Sequence, residues 1–596
     1  MVHRFFEQKV NSVAQPVSKY RPRAAACSAA ILLCGIFLGC AVLPVHFAYA
    51  QQGRIDPRQT EKTFEEFRRN KERSKSDVAL PQAGQFQVKG DTRPLFVLKS
   101  ISVEGTHSIS STELAETAAP YLGKTVSQAD LATIAEAMGE QYRAAGFHLS
   151  RAIVPPQDIR NGRVRFRIIE GSIADIVVEG YGSSRYGVRA ILEPILNERP
   201  SRLATLERYL LLVNERPGTR IVDTALAEIG NGSGQFRLTV QVENWRVYSS
   251  LGIANWSPPS VGPLQAYSST AFNSYIVPGD TLGINLSTIP DTPSELRFGQ
   301  LFYDAPIGFE GTRLGGSASY GEIQPGDARK KVNTRQYVEG FELHTSVVPV
   351  LTRATQLRLV ASFGVANSTE RDDLGTNYDD RVRTVGLAAD YQQRNNNGGW
   401  IDLTVGVRQG LNILGASQRD DMLVSTPGAS PDFTKFEGAF TGYQKLPGPW
   451  SLKLSAAAQL ASGPLLLTQQ FYLGGAVFGR GYDSGEISGD NGIAGSAEIR
   501  FDQSLSKNWI TSYQLYAFID GGAVWNSGSN LSSSTSLSST GGGVRLFFAD
   551  NLQADVGVGF PLDYRSATNL DRNPRFFFSV TKSFKLCVES ISQKCL

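Results

Sequence analysis

The chain is poor in the residue types from which catalytic and metal-binding sites are usually assembled. Its 596 residues include five His and five Cys, and the Cys form no Cys-x-x-Cys pair. Two of the His lie in the first 50 residues, and the others (His107, His148 and His344) lack the spacing of metal ligands. The sequence shows no nucleophile elbow and no phosphate-binding loop. We therefore expect a protein that is not an enzyme and that requires no cofactor or metal.

Charge is scarce as well, and its signs are balanced. Charged residues make up 19% of the chain, below the roughly one quarter that is typical of soluble domains, and the net charge is +3. This composition gives no reason to expect nucleic acid as a partner, because nucleic-acid-binding domains are strongly basic. Glycine, in contrast, is abundant, with 59 residues. Sequence that is rich in glycine and poor in charge suits the strands and tight turns of a β-barrel.

Long apolar runs are missing beyond residue 50, where no segment reaches the ~18 residues of a membrane-spanning helix. Before that point, basic residues precede an apolar stretch, and Ala48-Tyr49-Ala50 has the small-x-small pattern of a cleavage site. We therefore expect residues 1–50 to be an export signal peptide. A retained inner-membrane anchor and a lipoprotein signal at Cys40 are the alternatives. If the mature protein enters a membrane, it must cross it as a closed barrel.

The segment that follows the expected signal is polar. Thr60–Lys75 is rich in Glu, Lys and Arg, and Phe64 and Phe67 are three residues apart. This pattern predicts a short N-terminal helix within residues 51–75, with disorder as the alternative. Residues 76–94 contain several Gly and Pro, which indicate a flexible linker.

Two segments with the same order of elements come next. Residues 95–170 are expected to form a strand, two helices and two strands. The second helix is indicated by apolar residues at i, i+3, i+4 and i+7 spacing between Ser127 and Ala145. Residues 171–244 repeat this order although the residues differ. Two β-α-α-β-β repeats of the α+β class explain this pattern better than one large domain.

From about Trp245 the helical spacing gives way to period-2 alternation. Apolar residues alternate with polar residues or glycine in Ile401–Val407, Leu452–Leu460 and Leu552–Phe560. One apolar and one polar face is the pattern of a transmembrane barrel with a polar lumen. Residues 245–584 suffice for about 16 strands of the ~9–11 residues that a tilted spanning strand needs. We therefore predict a transmembrane antiparallel β-barrel of about 16 strands after the two repeats.

The polar stretches between these strands are unequal, as is typical of barrels with long loops on one side. We expect long loops at Asn367–Asp380 and Ser527–Gly543. The last strand is expected at Arg575–Phe584, and its terminal Phe is what outer-membrane barrels present to the barrel assembly machinery. A tail of residues 585–596 follows and contains two Cys. In an oxidising compartment these two, Cys587 and Cys595, either pair or remain free thiols.

Two segments near the end of the barrel carry the strongest functional indication. Gly479-Arg480-Gly481-Tyr482 places a cation between two glycines, whose missing Cβ allows a close approach to a wall. Asp520 lies on the apolar and aromatic strand Leu515–Trp525, where a lone carboxylate is costly unless it is paired. An ion pair between them would hold the loop inside the barrel. The residues alone leave open that the arginine is solvated on an external loop and the aspartate faces water in the lumen.

These segments resemble the two signature motifs of two-partner secretion transporters, the ShlB/FhaC/HecB or TpsB family of the BamA-type superfamily. Gly479-Arg480-Gly481-Tyr482 is similar to the loop motif, with Gly479 where the family more often has Val. Phe518-x-Asp520-x-Gly522 matches the barrel-wall motif in full. The resemblance covers nearly the whole mature chain. It implies that Arg480 contacts Asp520, that the repeats are POTRA-like domains, and that the N-terminal helix plugs the pore.

The resemblance also implies a function and a place in the cell. We expect an outer-membrane translocator of a Gram-negative bacterium, embedded in outer-membrane lipid, with the POTRA-like domains in the periplasm. Those domains would capture an unfolded secreted exoprotein of the adhesin or haemolysin type by β-augmentation, unless they are spacers. The barrel would then pass this partner outward, without a nucleotide and driven by folding of the partner outside.

Three other functions are weighed against this one. An insertase for other barrels belongs to the same superfamily, but such insertases usually carry more than two repeats. A passive porin lacks periplasmic repeats, so residues 95–244 argue against it. A surface-binding module would have to rely on Ser527–Gly543. A neighbouring gene for a very large secreted protein would distinguish export from the other functions.

Overall fold

In the computed structural model of the protein, the described residues are 58–61, 64, 78, 80–81, 90–159, 161–230, 232–506, 509–527, 534–562 and 572–586. The expected export signal, most of the N-terminal helix and linker, and the two Cys of the tail therefore lie outside the described residues. Among the residues that are described, no helix combines the length and the apolar character needed to cross a membrane.

The first repeat consists of short strands, a short helix and one long helix. Its elements are β1 (Pro94–Val97), β2 (Ser100–Glu104), α1 (Ser111–Ala115), β3 (Thr125–Ser127), α2 (Gln128–Ala144), β4 (Arg151–Ile153) and β5 (Arg163–Ile169). Strand β5 lies between β2, to which it is parallel, and β4, to which it is antiparallel, while β1 pairs with β3. The single strand expected at the start of this repeat is divided into β1 and β2. The Leu98 amide bonds to the Lys124 carbonyl, whereas Lys99 bonds to Gly162, so the pairing partner changes there.

Helix α2 begins and ends where its sequence dictates. Ser127 and Asp130 form a reciprocal capping box that satisfies the first free amides, and Gly146 follows the helix with φ of +91°. The apolar spacing places one helix face in the core, where Ile134, Met138 and Tyr142 are fully or almost fully buried. Burying each such side chain contributes about 1.5–3 kcal/mol.

The second repeat has the order β-α-α-β-β, and its described residues contain no counterpart of the β1–β3 pair. It comprises β6 (Ser172–Glu179), α3 (Val188–Leu192), α4 (Leu203–Glu215), β7 (Thr219–Glu228) and β8 (Gln235–Asn244). Strand β8 lies between β6, to which it is parallel, and β7, to which it is antiparallel. Alternate residues of β8 enter the core with the buried face of α4. Val78, from the N-terminal linker, is buried in the same core.

The barrel is closed and contains sixteen antiparallel strands. Two further short strands, β20 and β21, are not part of the wall. In chain order, the ranges of all these strands are β9 (Val247–Ala254), β10 (Gln265–Asn273), β11 (Thr281–Thr288), β12 (Leu296–Ile307), β13 (Thr312–Ile323), β14 (Arg335–Leu351), β15 (Thr355–Asp372), β16 (Gly375–Arg394), β17 (Trp400–Gly410), β18 (Thr434–Lys445), β19 (Trp450–Ala461), β20 (Phe471–Leu473), β21 (Ile487–Gly489), β22 (Asn491–Ser504), β23 (Ile510–Trp525), β24 (Thr535–Phe548), β25 (Leu552–Pro561) and β26 (Arg575–Leu586). The predicted barrel and its number of strands are confirmed.

Period-2 alternation assigns the two faces of the wall. In β17 the side chains of Ile401, Leu403 and Val405 point outward and are exposed. Thr404 points inward, and its hydroxyl donates to Asp390 on the neighbouring strand at 2.7 Å. An apolar exterior that encloses a hydrogen-bonded polar interior is what a bilayer requires of a spanning sheet.

Both of the expected long loops are wrong over most of their described residues. Asn367–Asp380 is mostly strand, because β15 and β16 pair up to a tight turn between Asp372 and Gly375, with one irregularity at Glu370 and Arg371. Ser527–Gly543 is strand from Thr535 onward. The serines and glycines of β24 have low β-propensity, but pairing with β23 and β25 on both sides overrides it. The surface-binding module depended on this stretch being a loop, whereas its residues from Thr535 onward are strand.

Pairing of the first and last strands closes the barrel. Strand β26 pairs with β9 from Leu586 opposite Val247 to Ser579 opposite Ala254. The last strand therefore runs two residues beyond the expected boundary at residue 584. We call this β9–β26 pairing the seam.

Candidate functional site

Residues 462–490, which connect β19 to β22, form what we call the lumenal loop. Its short strands β20 and β21 pair with each other. The tip between them lies against the inner face of the wall. On β23, Leu515 and Ile519 are exposed on the outer face, whereas Tyr516, Phe518 and Asp520 are buried on the opposite face. The tip contacts this inner face through the side chain of Arg480.

The guanidinium group of Arg480 donates hydrogen bonds to three residues of the wall. Its Nε donates to Asp520 Oδ2 at 2.7 Å, and its Nη1 donates to Glu498 Oε2 at 2.6 Å. Its Nη2 donates to Ser496 Oγ at 3.0 Å. The Asp520 side chain is completely buried, so this charge depends on the arginine for compensation. The two residues predicted from the sequence to pair are therefore in contact.

The backbone of the tip also binds Asp520. The amides of Gly479 and Arg480 donate to Oδ1 at 3.1 and 3.3 Å, and the Ser539 hydroxyl on β24 donates to the same oxygen. The Gly481 amide donates to Ser539 Oγ at 3.1 Å. One carboxylate thus accepts hydrogen bonds from the loop side chain, the loop backbone and the next strand.

The other residues of the barrel-wall motif also contribute to this contact. The Arg480 guanidinium lies over the Phe518 ring, with Cζ 3.5 Å from the ring centroid, which is a favourable cation–π geometry. A Cβ at Gly522 would collide with the Ile493 carbonyl and would lie 3.0 Å from Leu473 of the loop. Glycine at this position lets the loop and the neighbouring strand approach closely.

Each of the two glycines that flank Arg480 is required at its position for a different steric reason. Gly479 has φ of +78°, and a Cβ there would lie 2.5 Å from Leu537 on β24. A Cβ at Gly481 would lie 2.9 Å from the backbone of Phe560 and Pro561. The valine that the family more often carries at the first position therefore does not fit this backbone.

An apolar cluster supports the tip. Tyr482 is 1% exposed and packs with Leu473 and Ile487 of the loop. From the wall, Ala494, Val524 and Leu537 complete the cluster. Because the ring is buried on both sides, the loop is anchored by hydrophobic contacts as well as by charge.

A second layer of charges, which the motif comparison did not include, surrounds this contact. Glu498 binds Arg480, Arg500 at 2.7 Å and Arg545 at 2.8 Å. Arg545 in turn binds Asp555 at 3.0 Å. The signal was present in the sequence, because Ser496, Glu498 and Arg500 alternate with apolar residues along β22. Reading the polar face of that strand would have identified Glu498.

The described part of the N-terminal helix lies in the barrel. Phe64 is 6% exposed, stacks on Phe298 with ring centroids 6.0 Å apart, and meets Tyr267 edge-on at 6.5 Å. Arg58 and Glu61 pair with each other at 2.8 Å beside the inner wall of β14 to β17.

The second repeat is docked on the turns at the end of the barrel where β9 begins. Arg216 is buried and donates to the Tyr186 carbonyl at 2.9 Å and to the Pro278 carbonyl at 2.6 Å. Burial lowers the pKa of Arg216 to about 10, so it remains charged at neutral pH. The Tyr209 hydroxyl donates to Glu310 at 2.7 Å. These contacts fix the direction in which the repeats meet the lumen.

The three described histidines do not form a common site. The exposed side chain of His107 lies 3.4 Å from Glu170, and His344 lies 3.3 Å from Asp304 inside the barrel. Within the described part of the chain, no group of three or more His, Cys, Asp or Glu residues is placed to hold a metal ion.

Comparisons with known proteins agree with this arrangement. A family model described as "Haemolysin secretion/activation protein ShlB/FhaC/HecB" matches residues 232–546, and one described as "POTRA domain, ShlB-type" matches residues 96–171. The chain is 24% identical over 589 residues to the heme/hemopexin transporter protein HuxB of Haemophilus influenzae, covering 95% of this chain and 100% of HuxB. It is 26% identical over 185 residues to the outer membrane transporter CdiB of Escherichia coli, covering 31% of each chain.

Two solved structures share the fold. CdiB from Escherichia coli superposes with a TM-score of 0.69 at 18% identity, covering 89% of this chain and 98% of CdiB. CdiB from Acinetobacter baumannii gives a TM-score of 0.62 at 18% identity, covering 89% and 100%.

Proposed function

Because this chain belongs to the ShlB/FhaC/HecB family of haemolysin secretion/activation proteins, we propose that it exports one large exoprotein under the control of its lumenal loop. The coarser function follows from the family. The chain is an outer-membrane transporter that secretes an exoprotein partner in two-partner secretion, with its POTRA domains in the periplasm. The family consists of transporters rather than enzymes.

The observation that carries the proposal is the docked tip of the lumenal loop. In this position the loop fills space that an extended polypeptide would need. A porin works with a water-filled channel, whereas a transporter of a polypeptide needs a pore that is closed at rest. The loop therefore yields its place or rearranges during export, and export depends on the Arg480–Asp520 pair that positions the loop on the wall.

The N-terminal helix adds a second obstruction. Phe64 sits between Tyr267 and Phe298 on the inner wall, which supports a plug that is anchored by aromatic contacts. The plug must leave before the exoprotein enters, so Phe64 is a latch of the resting state.

The repeats receive the exoprotein before it enters the barrel. Strands β6 and β7 are the edges of the second repeat's sheet, and Val222 on β7 is 51% exposed. An unfolded segment can add to such an edge through main-chain hydrogen bonds. The docking of Arg216 and Tyr209 on the barrel turns then directs the captured segment toward the pore.

We infer the partners of this chain from its relatives and from its exposed surfaces. HuxB is described as a heme/hemopexin transporter, and we extend from it only that this chain's partner is one exoprotein, which we assign to the adhesin or haemolysin type. The exposed apolar residues of the outer wall, such as Leu387 and Phe576, contact outer-membrane lipid. The aromatic-rich strand β26 is the segment presented to the barrel assembly machinery.

Export from living cells tests this function. The full chain is produced in a Gram-negative host with its candidate exoprotein, and the exoprotein is quantified in the medium and in the periplasm. We expect export that depends on the transporter and that is lost when residues 95–170 are deleted, while the barrel still assembles. Selective export that persists after this deletion would make the first repeat a spacer. Export of any periplasmic protein, or of none, would contradict the proposal.

A further inference from the structure

The end of the seam near Ala254 is held by one backbone hydrogen bond and by the side chain of Asn255. Strand pairing stops at Ser579 opposite Ala254, and Asn255 follows. The Asn255 amide donates to the Phe578 carbonyl at 3.2 Å, and the Phe578 amide donates to Asn255 Oδ1 at 2.7 Å. Asn255 Nδ2 also donates to the Phe576 carbonyl at 2.9 Å. The backbone amide and the side-chain carboxamide of Asn255 therefore continue the seam past the last strand pair.

Arg575, the first residue of β26, lies at this end of the seam. Its Nη2 is 3.5 Å from the carbonyls of Asn255 and Ser257, which both follow β9. Its Nη1 donates to the Tyr482 carbonyl at 2.6 Å and forms an ion pair with the Asp483 carboxylate. One guanidinium group thus contacts the chain beyond the first strand and the tip of the lumenal loop at once.

Arg575 completes a continuous row of contacts around the wall. The tip binds β22 and β23 through Arg480, and β24 through the Gly481 amide. A Cβ on Gly559 of β25 would lie 2.7 Å from the Arg480 carbonyl, so the tip also presses on that strand. The loop therefore touches all five wall strands that follow it and, through Arg575, reaches the chain that follows β9.

We propose that Arg575 is a positioning residue that couples the inward position of the lumenal loop to closure of the seam. While Asp483 and the Tyr482 carbonyl hold the guanidinium, its other edge faces the carbonyls beyond β9. If the loop leaves, Arg575 loses its two short contacts and keeps only the two long ones. Coupling between two sites is reciprocal, so an opened seam also weakens the hold on the loop. This inference rests on the proposed role of the loop in export.

The planar fork of arginine suits this role, because its two terminal nitrogens address different partners. A lysine at the same position has one ammonium group and can satisfy the Asp483 side or the seam side, but not both. Arg575→Lys therefore separates the two contacts of this residue. The contact with the loop survives, and the contact with the seam does not.

Two reporters measure the exposure of the loop and the closure of the seam in the resting transporter. Both are introduced into a chain in which all five Cys are replaced by Ser. Ser484→Cys, next to Asp483, reports exposure of the loop through its rate of labelling by a maleimide. Ser250→Cys with Ser583→Cys reports closure of the seam through disulfide formation, because the two hydroxyls lie 3.4 Å apart across it. Heat-dependent gel mobility of the full chain shows whether the barrel is folded.

We expect Arg575→Gln to raise the labelling rate and to lower the disulfide yield, each several-fold, in a folded barrel. Arg575→Lys should lower only the disulfide yield. The matched control is Lys582→Gln, which removes a cation from the same strand, where Lys582 contacts the Asp550 carbonyl away from the loop; it should change neither reporter. If Arg575→Gln does not fold, Asp483→Asn cuts the same contact from the loop side and should give the same two changes.

A change in only one reporter for Arg575→Gln, or equal changes for Lys582→Gln, would overturn the coupling. Both reporters are read without an exoprotein. Failure of the coupling is therefore distinguishable from failure of the proposed export function, which is measured by the amount of exoprotein outside the cell. If both reporters change together while export stays native, the coupling between loop and seam is supported and export does not depend on it.

Discussion

The Nε of Arg480 donates to Oδ2 of Asp520 across 2.7 Å, and the aspartate that accepts this bond is completely buried. The contact joins the tip of a connecting loop to the inner wall of a closed barrel. Removing one partner of a buried ion pair typically costs ~3–5 kcal/mol, because the remaining charge is left uncompensated. Charge, backbone and packing at this contact lead to separate predictions.

Arg480→Lys should behave almost like Arg480→Ala in export and in loop exposure. A single ammonium group cannot bind Asp520, Glu498 and Ser496 at their observed positions at the same time. Loop exposure is measured by maleimide labelling of Ser484→Cys. A lysine variant with native labelling would show that charge alone, without the fork, holds the loop.

Glu498→Gln should loosen the loop less than Arg480→Ala but clearly more than a matched change on the same strand. Glu498 binds three arginines, and hydrogen bonds to charged groups contribute about 1.5–3 kcal/mol each. The control is Asp502→Asn, because Asp502 lies on the same strand and contacts Ser451 and Gln514 instead of the loop. Equal labelling rates for the two variants would show that Glu498 does not help to hold the loop in place.

Gly479→Val should displace the tip even though the family more often carries valine there. The new Cβ would lie 2.5 Å from Leu537, and φ of +78° is strained for a β-branched residue. We expect a several-fold rise in loop labelling, with partial recovery when Leu537→Ala is added. Native labelling of the single variant would mean that the loop adopts another backbone path.

Phe64→Ala should make the outer membrane more permeable to small solutes. The change removes the ring that packs on Phe298 and Tyr267, and loss of a buried Phe typically costs ~3–5 kcal/mol. Permeability is read from the uptake of an antibiotic that the intact outer membrane excludes. Phe341→Ala, which removes a ring that is 47% exposed, should leave uptake unchanged. Equal uptake in both variants would show that Phe64 does not latch a plug.

The first repeat should become less stable as the pH falls from about 6.5 toward 4. Burial lowers the pKa of His148 to about 4, and neither ring nitrogen has a hydrogen-bond partner among the described residues. The unfolded chain, with an ordinary His pKa of ~6.5, then binds more protons than the folded chain. Stability therefore falls on acidification by up to ~1.4 kcal/mol per pH unit.

Hydrogen exchange of the α2 amides in the full chain at pH 7 and pH 5 measures this effect after correction for the intrinsic pH dependence of exchange. His148→Phe should reduce the loss of protection at pH 5, whereas His107→Phe, at an exposed side chain, should not. Identical losses in the native chain and in the His148 variant would assign the acid sensitivity to other groups.

Local patterns predicted much of this architecture. The Ser127 capping box and the apolar spacing behind it indicate α2, and strict alternation indicates strands such as β17. Strand β24 was missed at its start, because its serines and glycines resemble a loop until the pairing of β23 and β25 is known. A strand that is buried in a sheet on both sides can tolerate residues that local propensity disfavours.

The candidate site was predicted only in part, for a related reason. Arg480 and Asp520 stand out because each is a lone charge among glycines or apolar residues. Glu498 was readable from the alternation of β22, but the sequence does not say which strand faces the loop. The contact between Asp483 and Arg575 depends on how the loop folds back across the wall and on where the barrel closes, and no local pattern encodes either.

Secretion by Arg480→Ala shows whether the docked loop controls export. The exoprotein in the medium is quantified at equal amounts of folded barrel, with Arg335→Ala, a half-exposed arginine on β14, as the control. We expect a strong loss of secretion for Arg480→Ala and native secretion for Arg335→Ala. Secretion by Arg480→Ala at the native rate would contradict this expectation.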